Sequence, residues 1–181
     1  MAGVAGPGVG NELKISVIIP AYRSAGTLGR ALESVLQQTC PASEILVVDD
    51  GSPDDLAPLV KGYGARVTLL RKPNGGAASA RNYGIEHSQG GLLAFLDADD
   101  WYYPERLAAY AAMIREVPEL SYLTGDFDYV DAQGNHLRRS MESMPAGQAM
   151  LARAREGRAV MEGEVLGDFI GAHFGDTHTL T

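Results

Sequence analysis

The residues best suited to chemistry are three carboxylates at the end of an apolar run. Leu92-Leu-Ala-Phe-Leu-Asp-Ala-Asp-Asp-Trp101 begins as a buried-strand pattern and ends in Asp97, Asp99 and Asp100. Carboxylates are seldom buried unless they are paired or bind a metal. Open α/β sheets hold their ligands at the carboxyl ends of strands. Asp97 and Asp99, two apart on a turn, can both reach one divalent cation, and oxygen ligands of this kind suit Mg²⁺ or Mn²⁺. Mg²⁺ usually completes its octahedron with water and substrate phosphates. The plain alternative is a solvated acidic turn that caps a helix starting near Pro104.

Two other strand ends carry polar groups. One strand stops at Pro20-Ala21-Tyr22, another at Asp49-Asp50-Gly51-Ser52. In a parallel sheet these ends share an edge with the acidic stretch. Tyr22 offers an aromatic face, and Asp50 can accept a hydrogen bond from a ring N–H. A planar-ring pocket beside a metal facing phosphates describes a nucleotide-diphosphate ligand. Asn74-Gly75-Gly76 would add backbone N–H groups at a helix N-terminus, and Arg81 a cation near the phosphates. Each piece has a plainer reading. Asp49 and Asp50 can cap the helix at Pro53, Tyr22 can be loop packing, Arg81 can pair with a surface acid, and the Gly-Gly can be only a turn.

Positioning these groups takes alternating strands and helices. Lys14 to Pro20, Glu44 to Asp49, Arg66 to Arg71, the opening stretch, and Leu120 to Thr124 read as five strands. Helices are expected from Ala25 to Gln38, with Leu28, Leu32, Val35 and Leu36 on one face. Others are expected from an N-cap at Ser52 through Pro53 to Tyr63, from Ala77 to His87, and from Pro104 to Val117. The order predicts an α/β fold, a Rossmann-like mostly parallel sheet with helices on both faces. Beyond Gly125 a hairpin around Asp131-Ala-Gln-Gly134 and a weakly amphipathic helix from Ala146 to Arg158 follow; residues 160 to 181 carry no clean pattern.

The full sequence of 181 residues suits one domain with a real core, and 45% hydrophobic with 21% charged residues is a soluble globular composition. A net charge of -8 without a basic stripe argues against general nucleic-acid binding, so a polyanionic ligand would need a metal or a few placed cations. Cys40 is the single cysteine, which leaves no disulfide framework or Cys-rich zinc site. His87, His136, His173 and His178 are too scattered for a metal spacing. No apolar run approaches the roughly eighteen residues of a membrane span. Residues 1 to 12 read as a disordered lead-in and not as a signal peptide, which makes the cytoplasm the default location.

Four segments together carry a resemblance. Ser16-Val-Ile-Ile-Pro-Ala-Tyr22, Val47-Val-Asp-Asp-Gly-Ser-Pro-Asp54, Asn74-Gly-Gly-Ala-Ala-Ser-Ala-Arg-Asn-Tyr-Gly84 and Phe95-Leu-Asp-Ala-Asp-Asp100 resemble the family 2 glycosyltransferases of GT-A fold, in the family's order and spacing over residues 14 to 125. The resemblance implies metal-assisted transfer of a sugar from a nucleotide-diphosphate sugar, often a UDP-sugar, with inversion at the anomeric carbon. It implies that Pro20, Tyr22 and Asp50 border the nucleoside base. Asp97 and Asp99 match the family's Asp-x-Asp signature, with Asp99 the direct ligand of Mn²⁺ or Mg²⁺ and Asp97 touching the ribose or the metal's waters. Asp100 is a substitute ligand.

An acceptor hydroxyl attacking the anomeric carbon needs a general base. In the family that base follows a Gly-Gly-Phe-like segment, which is missing here; of Asp168, His173 and Asp176, Asp176 is the expected base, against the plainer reading of a surface acid. Residues 13 to 125 are thus read as a nucleotide-sugar-binding domain, and 126 to 181 as the start of an incomplete acceptor-side region. The acceptor is expected to be a glycan or glycoconjugate, with peripheral association at the inner face of a membrane as the family's habit. The rival reading is a nucleotide-sugar-binding module without turnover. A nucleotidyltransferase is a poor fit, because residues 20 to 30 lack a Gly-rich basic loop. A phosphatase is disfavoured by the Asp-Trp after Asp99, and there is no dinucleotide fingerprint after the first strand.

Overall fold

Branched aliphatic side chains fill both faces of the first strand, and its position explains why. In the computed structural model, which describes residues 13–131, 133–155, 157 and 158, β1 (Ile15–Ala21) is buried along its whole length. It lies between β2 (Glu44–Asp49) and β4 (Leu92–Phe95), and β3 (Thr68–Arg71) pairs with β2, giving the order β3-β2-β1-β4. All three pairings are parallel. The chain builds β1, β2 and β3 outward in one direction and then returns to place β4 on the other side of β1. That reversal is a topological switch point, where the loops after neighbouring strands splay apart and leave a crevice. The register sets Ala21 beside Asp49 and Asp49 beside Arg71, so the loops after β1, β2 and β3 leave the sheet at one level.

Helices cover both faces, as the α/β pattern predicts. Val17, Ile19, Ile45 and Val47 face α1 (Leu28–Leu36), which buries Leu28, Ala31, Leu32 and Val35 against them; Val60 of α2 (Ala57–Lys61) and Leu107 of α4 (Arg106–Glu116) complete that cluster. Each fully buried Leu or Ile here contributes about 2 kcal/mol. On the other face Ile18, Leu46 and Val48 pack against Ala80 of α3 (Ala77–His87). Gly84 lets α3 approach closely: a Cβ there would stand 2.5 Å from Ile18 Cγ2. At the amino edge of the sheet the Ser16 hydroxyl donates to Glu44, whose carboxylate also accepts the Gln89 N–H at 2.5 Å and the Gly90 N–H at 3.2 Å.

Two expected elements differ. Residues 52–56 do not join α2. The Ser52 hydroxyl accepts the N–H of Arg23 at 2.8 Å instead of capping a helix, and the Ser52 N–H donates to Asp49 Oδ1 at 2.8 Å. The loop is thus spent on contacts with the end of β1. The expected fifth strand, Leu120 to Thr124, is irregular chain; its three large apolar side chains are half-buried or exposed and no ladder partner lies beside it among the described residues.

The chain divides between Tyr122 and Leu123 into two compact units. In the second, β5 (Asp128–Val130) and β6 (His136–Arg139) form the expected antiparallel hairpin, and α5 (Pro145–Leu151) is shorter than its pattern suggests. Asp131 organises the hairpin turn by accepting the N–H groups of Gln133 and Asn135 at 2.9 and 2.8 Å.

Candidate functional site

The loop after β2 is held by Asp50. Its side chain is 4% exposed and sits at the N-terminus of α3, where it accepts the N–H of Gly75 at 3.0 Å, the N–H of Gly76 at 2.7 Å and the ammonium of Lys72 at 2.5 Å. Burial pushes this carboxyl up, but the Lys72 ammonium and the two N–H groups outweigh it and hold Asp50 below the usual carboxylate range. The Asn74 amide donates to the Asp50 carbonyl at 2.9 Å. Gly51, at φ 69°, gives the room this needs, since a Cβ there would meet the Asn74 nitrogen at 2.8 Å. Gly75 and Gly76 turn their N–H groups to an internal anion, not to an open phosphate site. Asp50, engaged on both oxygens, is the anchor of the 72–76 loop and does not face an open pocket. Asn74 and Gly76 belong to that anchored loop.

Its neighbour Asp49 lines the opening. A cleft of about 630 Å³ is bounded by Asp49, Ser52, Asp54, Arg71, Lys72 and the glycine and prolines between them. Asp49 lies 3.5 Å from Arg71 Nε, and Arg71 also reaches Asp55 at 2.9 Å. Sequence reasoning missed Arg71 and Lys72, although a basic pair at the end of the third strand, level with the acids of the second, was there to be read. Tyr22 is 47% exposed at the end of β1, with the Arg23 guanidinium 5.4 Å from its ring centre. Pro20 is buried inside β1 opposite Val48 and presents little surface. Neither lines the cleft.

On the other side of β1 stands the acidic loop. Arg81, expected near phosphates, is only 3% exposed and instead donates from Nη2 to Asp97 Oδ1 at 2.5 Å. The loop is moored on α1 as well. Arg30 donates to the Asp99 carbonyl at 3.2 Å and stacks 3.7 Å from the Trp101 ring centre. The Ser34 hydroxyl accepts the Tyr102 N–H at 3.0 Å, and Gln38 bridges the Tyr103 carbonyl and the Leu107 N–H at 2.7 and 2.9 Å. Asp100 is half-buried in the same turn, its N–H donating to the Asp97 carbonyl at 3.1 Å. Asp99 is exposed, and its carboxylate makes no hydrogen bond or ion pair among the described residues.

No group of three or more His, Cys, Asp or Glu side chains among the described residues is arranged to hold a metal. The donor set nevertheless fits a hard cation of the kind bound by one or two carboxylates and completed by water and phosphate oxygens. Asp99 supplies the open carboxylate, and Asp97 stands two residues away with one oxygen committed to Arg81. Asp168, His173, Asp176 and His178 lie outside the described residues. His87 and His136 serve local contacts, with Tyr83 and Asp128 respectively. Among the described residues no helix is long and apolar enough to cross a membrane.

Comparison with known proteins places this arrangement among relatives. A family model described as glycosyl transferase family 2 matches residues 16–175. An uncharacterized glycosyltransferase of Rickettsia conorii is 35% identical over 127 residues, covering 68% of this chain and 21% of the relative. The succinoglycan biosynthesis protein ExoW of Rhizobium meliloti is 43% identical over 110 residues, 56% of this chain and 34% of that protein. The chain therefore spans between about a fifth and a third of the length of these curated relatives. Among solved structures, S. aureus TarS 1-349 in complex with UDP-GlcNAc superposes with a TM-score of 0.55 at 29% identity, over 71% of this chain and 38% of that one. The same protein in complex with UDP gives 0.56 at 28% identity, over 71% and 39%.

Proposed function

We propose a sugar-transfer function from a premise now in hand: this chain belongs to glycosyl transferase family 2. On this reading it moves a sugar from a nucleotide-diphosphate sugar, a UDP-sugar first, to an acceptor hydroxyl with inversion at the anomeric carbon. The observation that carries the reading is the pair of acidic loops that flank the end of β1 at the switch point, Asp49-Asp50 on one side and Asp97 to Asp99 on the other. TarS complexes with UDP and UDP-GlcNAc support the donor class. The succinoglycan relative supports a glycan or glycoconjugate acceptor.

The residues divide the work. Asp49 and Ser52 offer the nucleoside base polar contacts in the cleft they line. Lys72 and Asp50 keep the 72–76 loop in shape rather than touching the donor. The cations at the ends of β3 and on α3, namely Arg71, Lys72 and Arg81, are each paired with an aspartate, so an arriving diphosphate needs positive charge brought with it. Asp99 is the proposed direct ligand of Mn²⁺ or Mg²⁺, with Asp97 toward the ribose or the ion's waters; such an ion, when bound, supplies Lewis-acid neutralisation of the departing diphosphate. Asp176 is proposed, on sequence grounds, as the carboxylate that takes the acceptor's proton. Residues 126–181 are proposed to begin the acceptor side, with the protein working in the cytoplasm or at the inner face of a membrane.

Calorimetric titration with UDP, GDP and ADP in Mn²⁺ tests the donor half of this proposal. UDP is expected to bind most tightly. Binding of none of the three nucleotides would refute it.

A further inference from the structure

The Asp99 carboxylate is exposed, but the peptide that carries it is clasped. On either side the acidic loop is tied to the fold: Asp97 is paired with Arg81, Ala98 is buried in the core, and Ser34 accepts the Tyr102 N–H at 3.0 Å. Between these ties Arg30 of α1 reaches the loop from outside. Its Nη2 donates to the Asp99 carbonyl at 3.2 Å, and its guanidinium lies 3.7 Å from the ring centre of the half-buried Trp101. One flat group thus grips the chain before and after Asp100. A planar guanidinium can stack on a ring and donate from its edge at the same time, and a lysine ammonium offers no such edge. Arg30 is itself exposed, so neither contact adds much to global stability. Its effect is on orientation: with the Asp99 carbonyl plane and the Trp101 ring both fixed, the chain between them has little freedom to turn, and the direction of the Asp99 side chain is set.

We infer that Arg30 is a positioning residue for the cation site: by clasping the Asp99 carbonyl and Trp101 together it aims the Asp99 carboxylate, and it touches neither the ion nor the donor. This rests on the donor-site reading above. Two other roles for an exposed arginine on this loop have different signatures. As a mere charge it would repel a divalent cation, so its removal would tighten cation binding. As a contact for the donor's phosphates it would contribute with or without the ion. Positioning alone predicts that removal weakens the cation and spares metal-free nucleotide binding.

The experiment is a Mn²⁺ titration of UDP binding by calorimetry, on the wild type and on Arg30→Met, with metal-free UDP affinity and the urea midpoint measured on each. Groups that orient a metal ligand from outside cost about tenfold or more in metal affinity when removed. The Mn²⁺ concentration that half-maximally supports UDP binding is therefore expected to rise about tenfold in Arg30→Met, with metal-free UDP affinity within about twofold of wild type. As a surface substitution it is expected to leave the urea midpoint within about 0.3 M of wild type. Arg30→Ala takes its place, with the same expectations, if the Met variant does not fold. The inference is overturned if the half-maximal Mn²⁺ concentration is unchanged, or if it falls, which would mark Arg30 as a mere charge. It is overturned equally if metal-free UDP affinity drops by the same factor, which would mean direct contact with the donor. Failure of both variants to fold would make the clasp a structural element of the fold and overturn it as well. Wild-type UDP binding that is indifferent to Mn²⁺ would instead remove the donor-site reading itself, and this inference with it.

Discussion

Replacing Asp50 with alanine is expected to destabilise the first unit by about 3 kcal/mol. The carboxylate accepts three bonds, from Lys72 at 2.5 Å, Gly76 at 2.7 Å and Gly75 at 3.0 Å. Hydrogen bonds to a charged group contribute about 1.5–3 kcal/mol each, and breaking a buried ion pair costs about 3–5 kcal/mol, with the terms overlapping. Lys72 keeps 12% of its side chain exposed and can turn its ammonium to water, which brings the sum to the lower end. In urea, with a slope of about 2 kcal/mol per molar, the midpoint should fall by about 1.5 M. Asp50→Asn retains one acceptor oxygen for Gly76 and is expected to lose about 2 kcal/mol. Adding Lys72→Met to Asp50→Asn should cost at least about 1 kcal/mol less than Lys72→Met alone, because the orphaned ammonium is gone. A midpoint for Asp50→Ala within the equivalent of 1 kcal/mol of wild type, or strict additivity of the two substitutions, would refute the reasoning.

Three further outcomes follow from the geometry. Asp50 and Glu44 are both held below the ordinary carboxylate range: burial raises each, but Lys72 and two N–H groups for the first, and Ser16 with two N–H groups for the second, more than offset it. Their contribution to stability is therefore complete above about pH 5 and lost as pH falls through the unfolded and then the depressed folded values, so urea midpoints should hold from neutrality to about pH 5 and then drop, less steeply in Asp50→Asn. Gly84→Ala should destabilise by about 1–2 kcal/mol, the overpacking against Ile18 at 2.5 Å exceeding a gain of about 1 kcal/mol in helix propensity, and the penalty should vanish in an Ile18→Ala background. Arg23 adopts φ 53°, a conformation asparagine visits at less cost, so Arg23→Asn should raise stability by about 0.5–1 kcal/mol in the same assay, and an unchanged midpoint would contradict this.

The parts legible in the sequence are those fixed by local pattern. β2 and α3 fall where the Glu44 to Asp49 run and the Ala77 to His87 stretch predict them, because a continuous apolar strand and a helix bounded by glycines are specified by their own residues. Leu120 to Thr124 failed because a strand is made by its partner, and three apolar side chains do not reveal whether one is there. Ser52-Pro53 carries every local mark of a helix start, yet the Ser52 hydroxyl is drawn to Arg23 N–H across the loop, a contact between segments far apart in sequence. The acidic clusters were visible, but not their partners: Asp50 with Lys72, Gly75 and Gly76, and Asp97 with Arg81, meet only once α3 folds over the sheet. The N–H groups at the α3 N-terminus, which the pattern assigns to a ligand's phosphate, meet the protein's own Asp50 carboxylate.

The central claim is that the acidic loop binds a nucleotide diphosphate through a cation held at Asp99, the carboxylate left without a protein partner among the described residues. Its most direct test is the dissociation constant of UDP measured with and without Mn²⁺, for the wild type and for Asp99→Ala. The account predicts that UDP binding to the wild type depends on Mn²⁺, and that Asp99→Ala lowers affinity in Mn²⁺ by an order of magnitude or more while leaving metal-free affinity unchanged. UDP affinity that is indifferent to Mn²⁺, or a Mn²⁺ effect that survives Asp99→Ala, would contradict it.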